Sequence, residues 1–407
     1  MAELSTFELL PDEILLHICQ YLHCADILYC FYNLNSRLNI TVTDFWHQVN
    51  ITRVQYKRFQ FVTLKILPEI GSSIRSFVYH GYWQTIVSNP IRSILFCPNL
   101  SIILPHLQTL ILVFFTGEQL FIFLDAIKDL LQLVKLDIRY LESKIPEELL
   151  RKMLAANDNR LRSITFDEYS IGLTLTNTLH DQPISYPNIE ELTVVLMNPE
   201  ALECLFALVP NVSRLHVTYD GSSNISVEKL RNIPSLVQLK DFQLCSIYSD
   251  WTFDNIANIL TKMPCLQKLA LNLFTEDTCL LNGQNLAVIL PKSLVNLNLF
   301  IIYFLLRSSI PSDTLLVTWP NHIPIGYLLS ECHRYAIIHT IPCDLFSITI
   351  PARMSEQMLT GWEYMQNVQH LTIYGNAYST DIPMIVQHFH QLRTLHIDVT
   401  WNSEARM

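Results

Sequence analysis

The strongest constraint on the fold is a spacing. An apolar residue, two variable residues, a second apolar residue, one variable residue and a third apolar residue recur along most of the chain. Early instances are Leu107-Leu110-Leu112, Leu133-Leu136-Ile138, Leu161-Ile164-Phe166 and Ile189-Leu192-Val194. Val212-Leu215-Val217, Leu266-Leu269-Leu271 and Leu294-Leu297-Leu299 follow, then Leu345-Ile348-Ile350, Val368-Leu371-Ile373 and Leu392-Leu395-Ile397. Leu236-Leu239 starts one more, with Asp241 at its third place, and Ile74-Phe77-Tyr79 is a candidate early member. From Leu107 onward the first positions lie 26, 28, 28, 23, 24, 30, 28, 51, 23 and 24 residues apart. The gap of 51 reads as two repeats and places a degenerate copy near 315–324.

The last two apolar positions fall on one face of a short strand. Between these strands, Glu118–Leu131, Pro146–Ala156, Pro199–Leu208 and Asp254–Met263 carry apolar residues at three- and four-residue spacing and are expected to be helices. Pro146 and Pro199 suit a first helical turn, where a missing N–H leaves nothing unpaired. One such unit cannot bury its own apolar face, whereas stacked neighbours can. A doubly wound α/β domain also alternates strands and helices, but its turns rely on glycine. This chain has nine glycines in 407 residues, no two within nine residues of each other. The same scarcity excludes GxGxxG, the P-loop and GxSxG.

Over about Ile74 to Val399 the chain thus resembles the leucine-rich-repeat family. The resemblance implies an α/β solenoid over 74–400, with parallel strands on the concave face and helices on the convex face. That family often carries Asn or Cys eight residues after the first leucine. Only Asn376 fills this place, so the inner turn ladder is expected to be built from other groups.

Half the residues are hydrophobic and 16% are charged, against a usual ~25%. This is material for a large core and not for a disordered chain. A net charge of −10 without a long basic run argues against a non-specific grip on nucleic acid. Ten cysteines occur without a CxxC pair, and the start of the chain carries Glu3, Glu8, Asp12 and Glu13 with no basic stretch before an apolar run. Free thiols in a reducing compartment, cytoplasm or nucleus, are therefore expected. The apolar stretch Leu294–Leu306 is thirteen residues, short of the ~18 a spanning helix needs. His388 and His390 form an HxH pair with no cysteine or carboxylate to complete a metal site. Cys19, Cys24 and Cys30 are expected to pack as small hydrophobes. No motif nominates a catalytic residue, a metal or a cofactor.

The N-terminal segment has a different pattern. Pro11 fits the first position of a helix, and Asp12 and Glu13 complement its dipole. Ile14, Leu15, Ile18, Tyr21 and Leu22 recur at helical spacing. Asp26 is a candidate cap for a second helix carrying Ile27, Leu28, Phe31 and Leu34, and Asn35-Ser36-Arg37 suggests a break or a third short helix. About forty residues cannot bury this much apolar surface alone, so a face is left for a partner or for covering the repeat array.

Leu10-Pro11-Asp12-Glu13-Ile14-Leu15, Ile18, Tyr21-Leu22 and Asp26-Ile27-Leu28 closely resemble the F-box motif. The Leu-Pro-x-Glu opening is its specific part. Near the motif's end Arg37 is kept, with Leu38 where the family has tryptophan. The resemblance implies a helical F-box domain over 5–50, a linker over 51–73 and the repeat solenoid after it. It implies binding to a Skp-type adaptor and, through it, to a cullin scaffold, with Leu10, Pro11, Glu13, Ile14, Ile18, Leu22 and Leu28 as contacts. The chain would then be the non-catalytic substrate receptor of an SCF-type ubiquitin ligase. The alternatives are a repeat scaffold without a ligase role and an enzyme on an unrecognised α/β fold. Nucleic acid, membrane and a second copy of the chain are not expected as partners.

In such arrays the outward strand positions receive the protein substrate. Here they read mostly small and polar, and the only charge concentration is Arg214, His216, Lys240 and Lys268. These could hold a phosphorylated segment through charge-assisted hydrogen bonds, or form a solvated strand face.

Overall fold

The computed structural model describes residues 9–81, 100–141, 147–167, 169–170, 172–173, 175, 185–198, 201–219, 230, 233–304, 317–329, 335–351, 365–374 and 389–398. Its contacts divide into two compact units, 1–174 with 186–195, and 175–185 with 196–407.

In the first unit, helices α1 (Asp12–Cys19), α2 (Cys24–Phe31) and α3 (Ser36–Thr41) are followed by strand β1 (Gln48–Asn50). Strands β2 (Ser76–His80), β3 (Thr109–Val113), β4 (Lys135–Arg139), β5 (Ser163–Phe166) and β6 (Glu191–Leu196) extend from β1 in chain order, every pair parallel. The register matches the repeat: Phe77, Leu110, Leu136, Ile164 and Leu192 lie abreast. All five point into the core, as do Tyr79, Leu112, Ile138 and Phe166 in the next row. Each such side chain contributes roughly 1.5–3 kcal/mol by leaving water.

The first repeat starts earlier than the sequence reading placed it. Because Val49 pairs with Phe77, Trp46-Val49-Ile51 is a further member of the series, 28 residues before Ile74. Residues 51–73, expected as a linker, are instead packed. They form α4 (Tyr56–Phe61), a π-helical turn (Val62–Ile66) and α5 (Leu67–Ile70), with Phe59, Val62, Ile66, Leu67 and Ile70 buried.

The expected helices appear where their residues are described. Gly117–Ala126 begins at a capping box, in which Thr116 accepts from the Gln119 N–H and Gln119 accepts from the Thr116 N–H. Glu147–Leu154, Ala201–Leu208 and Phe253–Leu260 are the other three.

In the second unit, β7 (Arg214–Tyr219), β8 (Asp241–Asp250), β9 (Lys268–Thr275) and β10 (Asn296–Phe304) are parallel in chain order. Phe242 pairs with Leu215 and Leu244 with Val217. The member read as starting at Leu236 is therefore Leu239-Phe242-Leu244, and the gaps of 24 and 30 become 27 and 27.

The degenerate copy expected near 315–324 is not a further parallel strand among the described residues. After β10 the chain forms β11 (Ile325–Leu329) and β12 (Tyr335–Thr340), an antiparallel pair whose β12 also runs antiparallel to β10. Parallel order resumes in a separate three-stranded sheet of β13 (Ser347–Pro351), β14 (His370–Tyr374) and β15 (Thr394–Asp398). This is a mixed α/β architecture dominated by parallel strands. Among the described residues no helix is long and apolar enough to cross a membrane.

Candidate functional site

The three N-terminal helices close on a small core of Leu15, Cys19, Ile27, Phe31, Leu38 and Val42. Burial pushes the Cys19 thiol pKa up and keeps the group neutral, as a packed hydrophobe. Cys24 is half-buried and Cys30 exposed, so the packing expected of all three holds fully only for Cys19. Pro11 stands at the N-cap of α1, with Asp12 and Glu13 in its first turn. The cap of α2 is His23, whose Nδ1 accepts from the Ala25 N–H at 3.3 Å. Asp26, the expected cap, sits within the first turn. Asn35 caps α3 by accepting from the Leu38 N–H at 2.8 Å.

Arg37 ties the end of the motif to its beginning. Its Nε lies 2.9 Å from Asp12 Oδ1, and its Nη2 donates to the Leu10 carbonyl. The Thr41 hydroxyl donates to the same Asp12 oxygen at 3.1 Å. The Leu10 carbonyl, just before α1, is thus held by Arg37 of α3.

Of the expected contact residues, Pro11 and Glu13 are exposed, Leu10 and Ile18 are half-buried, and Ile14 and Leu22 expose 46% and 40% of their surface. Leu28 departs from the expectation. It is 0% exposed and belongs to the interior, because α2 turns it away from water. Tyr21, 79% exposed and edge-on to His17 at 5.3 Å, extends the outer apolar surface instead. Its place one turn from Ile18 and two turns from Ile14 was the sequence signal for it.

The far side of α2 is anchored. Asp26 pairs with Arg58, whose guanidinium lies 5.6 Å from the Tyr29 ring centre. Tyr29 meets Phe61 edge-on at 5.2 Å. The Tyr32 hydroxyl donates to Glu69, and its pKa is pushed up to about 12, first by desolvation and then by the Glu69 carboxylate. Helix α2 is thereby fixed to α4 and α5 on one side, while α1 keeps an apolar face towards solvent.

The second expected site lies in the second unit. Arg214, Asp241 and Lys268 are abreast on β7, β8 and β9. Arg214 Nε and His216 Nε2 each lie 3.5 Å from an oxygen of Asp241. Burial raises the Asp241 pKa, but the His216 hydrogen bond and the charges of His216, Arg214 and Lys268 outweigh it and hold the carboxyl below its ordinary range. The cluster is a charge ladder with an anion at its centre, and the sequence reading missed that anion. Lys240 is not on this row. The register places it one residue before Asp241, in the turn, where its carbonyl accepts from the Gln267 and Lys268 N–H groups. His388 lies outside the described residues.

Both regions offer surfaces: exposed apolar side chains at the N-terminal helices and a row of charges across β7–β9. No protein-family model matches the chain, and no curated protein matches it.

Proposed function

We propose that this chain is a substrate receptor of an SCF-type ubiquitin ligase, an F-box followed by a leucine-rich-repeat solenoid. In this reading α1 and the turn that follows it bind a Skp-type adaptor, and the sheet carries a protein substrate. The observation that supports it most is the outward apolar face of Ile14, Tyr21 and Leu22, beside Pro11 and the half-buried Leu10 and Ile18. An exposed cluster of this kind on a small helical unit marks a protein contact. The anchoring of α2 to α4 and α5 fits a receptor that presents its cargo at a set distance.

The experiment is capture of the purified chain on an immobilised Skp-type adaptor, beside Ile14→Glu/Leu22→Glu. Both positions are exposed enough to accept a charge without unfolding. Anchor residues at interfaces commonly contribute over ~1–2 kcal/mol each, so the double variant is expected to lose capture. A folded wild-type chain that is not captured removes the ligase reading and leaves the repeat scaffold.

A further inference from the structure

We propose that β11 is an interface: two copies of the chain pair edge to edge through it, antiparallel and about a two-fold axis at Tyr327.

The large sheet runs in order from β1 to β10, continues to β12 and ends at β11. On its inner side β11 pairs with β12, with Ile325 opposite Thr340, Gly326 opposite His339 and Tyr327 opposite Ile338. Among the described residues no strand lies on its outer side. The hydrogen-bond phase decides which groups face outward. The Ile341 N–H donates to the Pro324 carbonyl at 2.9 Å, so these two residues face each other as a bonded pair. Bonded and non-bonded pairs alternate along an antiparallel ladder. Gly326 and Leu328 therefore also direct their N–H and C=O groups at β12, whereas Ile325, Tyr327 and Leu329 direct theirs away from the sheet.

An open edge is a template for pairing, and native edges are guarded by charge, proline or short length. The other sheet edges of this chain have such guards. β1 is three residues long, β13 ends in Pro351, and β15 carries His396 and Asp398. β11 reads Ile-Gly-Tyr-Leu-Leu and has neither a charged residue nor a proline.

The occupant is a second copy because the strand complements itself. With the axis at Tyr327, this residue faces its own copy, and Ile325 faces Leu329 of the partner subunit. All three pairs are of the bonded kind, so every outward N–H and C=O of these residues is met. Apolar side chains oppose apolar ones, and no charge meets a like charge. Such a strand carries little that could select a foreign sequence, whereas two-fold pairing asks only that it match itself. Ile325 and Tyr327 are half-buried in the single chain, so both have surface left to cover. Nothing in the repeat spacing announces this edge, and with it a second copy.

The test is sedimentation velocity of the intact chain over a concentration series, in which a monomer–dimer equilibrium is expected. Tyr327→Lys and Tyr327→Glu each set like charges opposite one another across the axis and are expected to weaken dimerisation by more than about tenfold. An equimolar mixture of the two sets lysine against glutamate and is expected to restore a dimer, of mixed composition by native mass spectrometry. In the wild type, the peptide covering 325–329 is expected to gain protection from hydrogen exchange as concentration rises, a measurement that needs no variant to fold. A monomer at every concentration overturns the proposal, as does a dimer indifferent to both charges or protected elsewhere. A chain that stays monomeric and takes an extended segment of another protein at this edge overturns it too.

Discussion

Asn157 Nδ2 donates to the Leu133 carbonyl at 2.9 Å, joining the turn before one repeat to the first leucine of the repeat before it. Asn188 does the same to Leu161 at 2.7 Å, and the Ser293 hydroxyl to Leu266 at 2.7 Å. This is a ladder of side chain to backbone bonds at the strand entrance. Asn157 is buried and lies in a left-handed run with Asp158 and Asn159, the residue types that tolerate that conformation best. Asn157→Ala should destabilise the protein by about 2–3 kcal/mol, from the lost buried bond and the strained backbone. Asn157→Gly relieves the backbone part and should lose less. Urea denaturation of both variants measures the difference.

Leu28 and Ile14 separate folding from the proposed adaptor binding. Leu28→Ala opens a cavity under α2 and should lower stability by about 2–5 kcal/mol. Ile14→Ala removes a half-exposed side chain and should leave the melting temperature within a few degrees while weakening adaptor capture. Equal melting losses in the two variants would contradict this assignment of inside and outside.

His339 is buried in β12, and its Nδ1 lies 3.0 Å from the Thr340 carbonyl oxygen. Burial lowers its pKa from the ordinary 6.5, and the bond to Thr340 offsets this only in part. As pH falls below that value, the unfolded chain takes up the proton before the folded one does. Stability contributed by the neutral ring is therefore whole above about pH 6.5 and declines as the medium becomes more acid. Denaturant midpoints between pH 7.5 and 5.5 should fall more steeply for the wild type than for His339→Gln.

Gly71 ends α5 against the short helix Leu100–Ile103. A Cβ at this place would lie 1.9 Å from the Ile103 carbonyl oxygen, a backbone atom that cannot swing aside. Gly71→Ala should cost about 1–3 kcal/mol by forcing the two segments apart. Gly326→Ala should be milder, since its nearest obstacle is the His339 ring. Thermal melts of the two variants rank them.

The parallel strands were legible because each repeat states its core row in leucine, isoleucine or phenylalanine, and burial needs no partner information. The errors came where two frames were both apolar. Leu236 and Leu239 are both buried, so the spacing alone could not choose between them, and the pairing of Phe242 with Leu215 did. Choosing the earlier frame put Lys240 on the open face and hid Asp241. Trp46-Val49-Ile51 escaped notice because an aromatic first member follows directly on the N-terminal helices. The antiparallel β11–β12 pair has no glycine-rich two-residue turn to announce it, and its strands are as apolar as a parallel repeat. In the N-terminal helices, periodicity found the helical segments but could not say which face of α2 looks outward. Leu28 stood among the expected contacts because the resemblance implies it, and its burial turns it inward.

β1 follows the N-terminal helices in sequence and pairs with β2, so the sheet begins at the helical segment itself. Adjacent strands lie about 4.8 Å apart, so each row of this unit stands a fixed number of such steps from α1. In the receptor proposed above, the sheet would serve as a graduated ruler. Moving a ligand from the β2 row to the β5 row shifts it by about 14 Å without changing a single contact at the helices.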